Sequence, residues 1–453
     1  DHRDLHSFPT RRSSDLFYGW ESEEFHGPFA SWADVKRDYG AVGDGVADDT
    51  DAIQRAFEEL GNTHFGPGAG SGGGPAYILY FPAGTYRITR TLQLFSKLEF
   101  HIAGEHPDTT QIVWDGPADG VMCWLDNVGQ STFRRLTLDG AGRTRSAIDV
   151  RHSSERYYYG HGTSGNEFTD LVFRGVKHGF RGGNPDFQVL DSEQLIERCR
   201  FLGCSEAAIR LDSFNALDWW VWDSLFDGCT VGFTNPGGGA CHIYRSVFRS
   251  STEADIVLVQ CSGFASYRWN TSIGSRRFLH QYCGDPLTIH GNEIVDPLEP
   301  PALLVTAQSL LLLDNVFRSR PEHAALPAVS SPYHILSVGN VFTTSQPFDG
   351  LGRRVTVDDQ IVAREQIEDP ETDLPPFQPN GNRPVFEVSR DSGPGEPQLG
   401  LADLRIQQAI DEATHLSGQR PVIHLPFGCF YLQRPLVIPA GADFELIGDG
   451  GRG

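Results

Sequence analysis

The sequence is short of several things, and each shortage removes a class of explanation. Positive charge is scarce: Lys+Arg number 37 against 59 Asp+Glu, a net charge of −22. Such a surface repels DNA, RNA and anionic lipid, so no nucleic-acid partner is expected. A polyanionic substrate would need a local basic groove or a bound cation. No apolar run approaches the ~18 residues of a membrane span. The cysteines, 8 in all, include no C-x-x-C pair, which removes the usual zinc and dithiol spacings. The glycine-rich stretch Gly61–Gly74 lacks the G-K-[S/T] ending of a phosphate loop. What is plentiful is turn-forming residues, 50 Gly and 28 Pro against a single Met, as in a β-rich chain.

The first residues look foreign to the fold. Ser7-Phe-Pro-Thr-Arg-Arg-Ser-Ser-Asp-Leu16 reads as a translated sequencing adapter, so residues 1–16 are set aside. Residues 17–37 are aromatic and irregular (Phe17, Tyr18, Trp20, Phe25, Phe29, Trp32) and are expected to form an arm along the next domain.

The strongest internal signal is a repeated block. Tyr80-Phe-Pro-Ala-Gly-Thr-Tyr86 and Ile102-Ala-Gly104 recur as His424-Leu-Pro-Phe-Gly-Cys-Phe430 and Leu446-Ile-Gly448, at a constant offset of 344. The first copy opens with Asp38-Tyr-Gly-Ala-Val-Gly-Asp-Gly45 and Asp48-Asp-Thr50. The glycines make turns, and Asp49 or Thr50 can cap a helix whose Ile53, Ala56, Phe57 and Leu60 form one apolar face. Strands are predicted at 76–81, 85–89, 91–94, 98–103 and 111–114. The second copy stops soon after it starts, so the chain is expected to continue past Gly453.

Between the copies runs a looser repeat. Phe173, Phe201, Phe226, Phe248, Ile273, Ile294, Phe317 and Phe342 anchor units 21–28 residues long. A period of that size without helices predicts a β-solenoid, in which each coil buries its apolar residues only by stacking on its neighbours. Two positions before the anchors lie Ser224, Ser246, Thr271, Asn292, Asn315 and Asn340, a predicted ladder of stacked polar side chains. Three before them lie Asp170, Arg198, Asp223 and Arg245, whose alternating sign predicts ion pairs between coils about 4.8 Å apart. Cys199, Cys204 and Cys229 fall at comparable points and are expected in the core. The repeat fades after residue 343, and 369–398, rich in Pro, Gly, Asp and Glu, reads as a linker.

The block Asp38–Thr50, the helix and Tyr80–Tyr86 together resemble the opening of pectate-lyase-superfamily domains, among them rhamnogalacturonase- and epimerase-like proteins and phage tailspikes. The resemblance implies an all-β fold: a right-handed, single-stranded parallel β-helix with an N-terminal helical cap over 38–368, and the start of a second β-helix at 399–453. The tandem arrangement is similar to the exo-β-1,3-glucanases of glycoside hydrolase family 55. It further implies an extracellular or periplasmic location and intramolecular packing against the second β-helix.

Signatures of the related hydrolases do not carry over. Gly160-His161-Gly162 has the local look of the polygalacturonase-like Gly-His-Gly, but Asn184-Pro185-Asp186 follows instead of preceding it and no Arg-x-Lys comes later. His161 is therefore read as a loop residue. No calcium-binding acidic cluster is evident, so no cofactor is expected, with calcium the exception if the chain is a lyase.

Geometry then nominates a site. Glycoside hydrolysis generally needs two carboxyls about 5–5.5 Å apart for retention or about 6.5–9.5 Å for inversion, and stacked coils offer both. Glu206 and Glu253 each follow an anchor by five residues, two coils apart, with Asp212 and Asp255 expected to flank the same face. Asp218-Trp219-Trp220-Val-Trp222 sets three indoles beside an acid, and such rings stack on sugars. The catalytic candidates are Glu206, Asp212, Asp218, Glu253 and Asp255, and the substrate-binding candidates are Trp219, Trp220, Trp222 and Arg210. The expected function is a secreted polysaccharide-degrading glycoside hydrolase. A polysaccharide lyase or epimerase, and a non-catalytic glycan-binding solenoid, remain alternatives.

Overall fold

Phenylalanines set the pitch of the molecule. In the computed structural model, Phe173, Phe201, Phe226 and Phe248 are buried and stack in succession, ring centroids 4.9, 4.9 and 4.5 Å apart. That is the spacing of hydrogen-bonded strands, so one ring per coil keeps the core filled as the chain winds. The structure describes residues 24–63, 77–152, 162–186, 190–260, 265–284, 287–374, 376–389, 402–416, 418–428 and 430–449. The coils form a right-handed parallel β-helix. One wall, the front sheet, has 13 strands in chain order from Ala33–Asp34 to Arg354–Val357; the remaining walls form a 22-stranded back sheet.

The corner between front and back sheets is turned by one residue per coil in the left-handed region: Asp170, Arg198, Asp223, Arg245, Trp269 and Asp314 have φ between 47° and 56°. Two of the predicted ion pairs form here, Arg198 to Asp170 and Arg245 to Asp223, each 2.8 Å. The polar ladder also forms, with one correction. It runs Ser224, Ser246, Asn270, Asn292, Asn315, Asn340 and Asp359, each backbone N–H donating to the next side chain at 2.8–3.2 Å. Asn270 takes the place expected for Thr271, because Ser272 and not Ile273 sits opposite Phe248. A serine fills that core slot because the buried Asp255 accepts its hydroxyl.

The helix α1 (Thr50–Glu59) closes the first coil with Ala52, Ile53, Ala56 and Phe57. Asp49 does not cap it; its carboxylate accepts the Val42 and Gly43 N–H groups at 2.6 and 3.0 Å, holding the glycine turn against the helix. The solenoid also runs one coil further than the sequence pattern, through Phe348–Asp349, Arg354–Val357 and Gln360–Ile361. Those residues are largely exposed and so escape an apolar repeat.

The chain then doubles back along the solenoid as a strap. Arg364 pairs with Asp296, Asp369 with Arg318, and Phe377 lies 3.9 Å from the Arg200 guanidinium carbon. Arg135 holds the Gln378 carbonyl and the Asn380 side chain at 2.7 and 2.6 Å. The stretch read as a linker is thus laid on the first domain at Asp369 and from Phe377 to Asn380, and from Val385 it enters the sheet of the second block.

The second block repeats the first in three dimensions. Val385–Glu387, helix α2 (Ala402–Thr414), Val422–Leu425 and Glu445–Gly448 build a three-stranded parallel sheet. Val422 pairs with Glu445 as Ile78 pairs with His101, both members displaced by 344. The polar details are copied too. In the first copy Glu105 takes the Ala83 N–H and the Tyr80 hydroxyl; in the second, Asp449 takes the Phe427 N–H and His424 Nε2. The arm joins the two: Phe25, Phe29 and Trp32 pack with Ile78, Tyr80, Ala103 and Val422, Phe29 stacks on His424 at 3.6 Å, and Trp32 Nε1 donates to Asp449 at 2.7 Å.

All six cysteines among the described residues are buried, Cys199, Cys204 and Cys229 included.

Candidate functional site

Along a strand, alternate side chains face outward, so the front sheet presents two columns of residues to the exterior, four and six positions before each core anchor. One column runs Thr169, Glu197, Trp222, Tyr244, Arg268 and His290; the other runs Glu167, Leu195, Trp220, His242, Ser266 and Thr288. The strand Trp219–Trp222 shows the alternation plainly, with Trp219 and Val221 buried and Trp220 and Trp222 partly exposed.

The result is a bank of rings along the solenoid axis. Trp220 stacks on His242 at 4.3 Å, Trp222 meets Tyr244 edge-on at 4.6 Å, and Trp269 and His290 follow at 5.7 Å. The Arg245 guanidinium lies 4.7 Å from the Trp222 ring. Ser266 Oγ joins His242 Nδ1 at 3.0 Å and the Tyr244 hydroxyl at 2.5 Å, fixing both rings. Burial pulls the His242 pKa down, partly offset by Asp218, whose carboxylate stands 3.8 Å from Nε2. Next to this bank Glu197 has its pKa raised by burial, with Arg198, 3.2 Å away, pulling the other way. Glu167 is one coil earlier and two residues back from the position level with Glu197, a diagonal neighbour. Diagonal neighbours in a sheet have their backbones about 7–8 Å apart, a spacing from which two Glu side chains can reach the ~6.5–9.5 Å separation of carboxyls flanking a water.

The residues nominated from the sequence do not share one face. Trp220, Trp222 and Asp218 belong to the front. Trp219 is a correction: it is fully buried, and its Nε1 donates to the Asp191 carbonyl at 2.9 Å, so it cannot touch sugar. Asp255 is another. Its strand turns it into the core, where the Ser272 hydroxyl donates to Oδ2 and burial pushes its pKa up to about 7. Glu206, Arg210, Asp212 and Glu253 lie on the back sheet and its edge. Glu206 and Glu253 are two coils apart with Thr230 between them, as the repeat predicts. Glu206 faces His178 and Lys177 at 3.2 and 3.5 Å. Asp212 is buried between Arg181 and Arg210, an ion-paired carboxylate with no open side. His161 lies outside the described residues.

Glu167, Glu197, His242, Tyr244, Arg268, Trp269 and His290 were missed. For Glu167, Glu197, His242, Tyr244 and His290 the signal is present in the sequence, four or six positions before their anchors; Arg268 falls into its column only when Ser272 replaces Ile273 as anchor, and Trp269 is the corner residue beside it. Residues following the anchors drew attention instead. Among the described residues no group of three or more His, Cys, Asp or Glu is disposed to hold a metal ion.

Residues 32–113, the capped start of the parallel β-helix, match the family model described as rhamnogalacturonase A/epimerase, pectate lyase-like. Over 276 residues the chain is 23% identical to a glucan 1,3-beta-glucosidase of Cochliobolus carbonum, covering 52% of this chain and 32% of that protein. Over 115 residues it is 33% identical to mannuronan C5-epimerase AlgE2 of Azotobacter vinelandii, covering 23% of this chain and 10% of that one. The chain therefore spans a third or less of these relatives. Among solved structures, PfbA, a surface adhesin of Streptococcus pneumoniae, superposes with a TM-score of 0.52 at 14% identity, over 73% of this chain and 90% of the other, a likeness of fold. Among the described residues no helix is long and apolar enough to cross a membrane.

Proposed function

We propose that the front wall binds and cleaves a polysaccharide, and that the chain belongs to a secreted glycoside hydrolase. The observation that carries this is the bank Trp220, Trp222, His242, Tyr244 and Trp269 set beside Glu197. Trp220, Trp222 and Trp269 are partly exposed and suit the apolar faces of sugar units, with the buried His242 and Tyr244 packed against them, while a carboxyl of raised pKa next to them suits a general acid. In this reading Glu197 protonates the departing glycosidic oxygen, and Glu167 takes a proton from the water that attacks the anomeric carbon from the opposite side. The glucosidase and epimerase similarities support a carbohydrate-active solenoid. A neutral glycan fits better than a polyanion, because Arg198 and Arg245 on this side already face Asp170 and Asp223.

The test is Glu197→Gln and Glu167→Gln in the intact protein, assayed on a panel of glucans and uronate polymers. A loss of roughly 10²–10⁴-fold in kcat with glycan binding retained is expected for a group acting in proton transfer. The anomer released, followed by NMR, should be inverted. Unchanged turnover in Glu197→Gln would remove this assignment.

A second reading, glycan binding without cleavage, draws on the Glu197–Arg198 contact, which is also what a structural carboxylate makes. It predicts binding with no reducing ends released. A lyase or epimerase would instead show calcium dependence, with unsaturated products in the lyase case.

A further inference from the structure

The chain carries 37 Lys+Arg against 59 Asp+Glu, so its arginines have an excess of carboxylates to pair with. Along the front wall Arg198 and Arg245 each take one, Asp170 and Asp223. Arg268 takes none. It continues the outward column of Glu197, Trp222 and Tyr244, one residue per coil. Among the described residues no carboxylate pairs with it, and the Tyr244 ring, 5.8 Å from Cζ, is its near neighbour. Its Nε is buried and has no hydrogen-bond partner, while the residue as a whole is partly exposed. A ring at that range is near the outer limit of a cation–π contact, about 6 Å, and does not satisfy an N–H.

A buried donor left unpaired in a folded protein calls for a reason. A guanidinium is a rigid planar fork of donors suited to the paired oxygens of a carboxylate or a similar oxyanion. The surroundings say how much negative charge fits. Glu167, Glu197 and Asp218 stand on earlier coils of the wall and would repel an anion there, and Trp222 and Tyr244, between Glu197 and Arg268, bring rings and no cation. Beyond Arg268 the wall turns aliphatic, with Leu311 and Leu313 following Thr288 and His290. His290, level with Arg268 in the next coil, stands 3.6 Å from Asp314, and the Trp269 ring lies 5.7 Å from His290. A sugar resting on Trp269 can bring one charged substituent to Arg268, and a run of charges is not matched.

We propose that Arg268 seats the one anionic group of an otherwise neutral glycan, a carboxylate or a sulfate ester, on a sugar unit three coils, or about 14 Å, from Glu197. This rests on the front wall being the glycan site, and not on Glu197 acting as the acid.

An array of oligosaccharides tests it, with each backbone presented neutral, bearing glucuronic acid, bearing the same unit with its carboxyl reduced, and bearing a sulfate ester. The full chain with Glu197→Gln is applied, so that bound glycans are not consumed. Acidic members are expected to bind roughly 10–100-fold more tightly than their neutral counterparts. Adding Arg268→Gln should abolish that difference and leave neutral binding as it was, and Arg268→Lys should recover part of it. The stronger of the two acidic arms identifies the anion. Melting curves separate this from a structural arginine, whose loss would lower the melting temperature without changing the acidic-to-neutral ratio. Equal binding of acidic and neutral members overturns the proposal with the front-wall reading intact, and so does a preference that survives Arg268→Gln. Binding of no member removes the front-wall reading itself, and this inference with it.

Discussion

Replacing Asp255 by Asn separates an architectural carboxyl from a catalytic one. Asp255 is enclosed in the core and burial moves its pKa from 3.8 to about 7. A shift of roughly 3 units, at about 1.36 kcal/mol each, is on the order of 4 kcal/mol between its protonated and ionised forms. The sign follows from proton binding. Between about pH 4 and about pH 7 the folded chain keeps this proton and the unfolded chain has lost it. Stability is therefore fully present below about pH 4, falls as pH rises through the window, and levels off above it. An amide cannot ionise, so Asp255→Asn should lose that slope. At pH 4 it should be slightly less stable than the parent, by about 1 kcal/mol for imperfect hydrogen bonding to Ser272. At pH 8 it should be more stable, by up to about 3 kcal/mol once the same penalty is taken off the ionisation term. Denaturant melts at the two pH values measure the difference. Asp191, also buried with a pKa near 7, leaves part of the slope in the variant. An equal stability difference at both pH values would refute the argument, and so would a folded variant that had lost glycan turnover.

Two further outcomes probe the architecture. Asn270→Ala should cost about 1–3 kcal/mol in a denaturant melt, because it strips the Ser246 N–H of its buried acceptor, whereas Thr271→Ala should leave the ladder intact. Trp32→Phe keeps the ring packing of the arm but removes its bond to Asp449; it should loosen the second block by about 1.5–3 kcal/mol, seen as faster hydrogen exchange across 402–449 with the solenoid unchanged.

Much of the fold was written in the sequence because a solenoid repeats locally. The Phe anchors, the Asn ladder and the Asp–Arg corners each recur at one coil per step, and a period needs no knowledge of the fold to be seen. The constant offset of 344 likewise survives into the strand register of both caps. Local pattern failed where a coil departs from the average. Ile273 looked like an anchor, yet Ser272 took the slot because Asp255 is inside to receive its hydroxyl. The last coil went unseen because its side chains face solvent.

The site was less legible, for a geometric reason. Distance along the chain says how many coils separate two residues but not which wall each occupies. Glu206 and Asp218 are 12 residues apart and sit on different sheets, whereas Glu167 and Glu197, 30 apart, are diagonal neighbours. The sequence determined that acids and indoles would recur at coil spacing. Only the tertiary structure decided which of them face outward together, because that depends on where each corner falls and on which way the strand alternation starts after it.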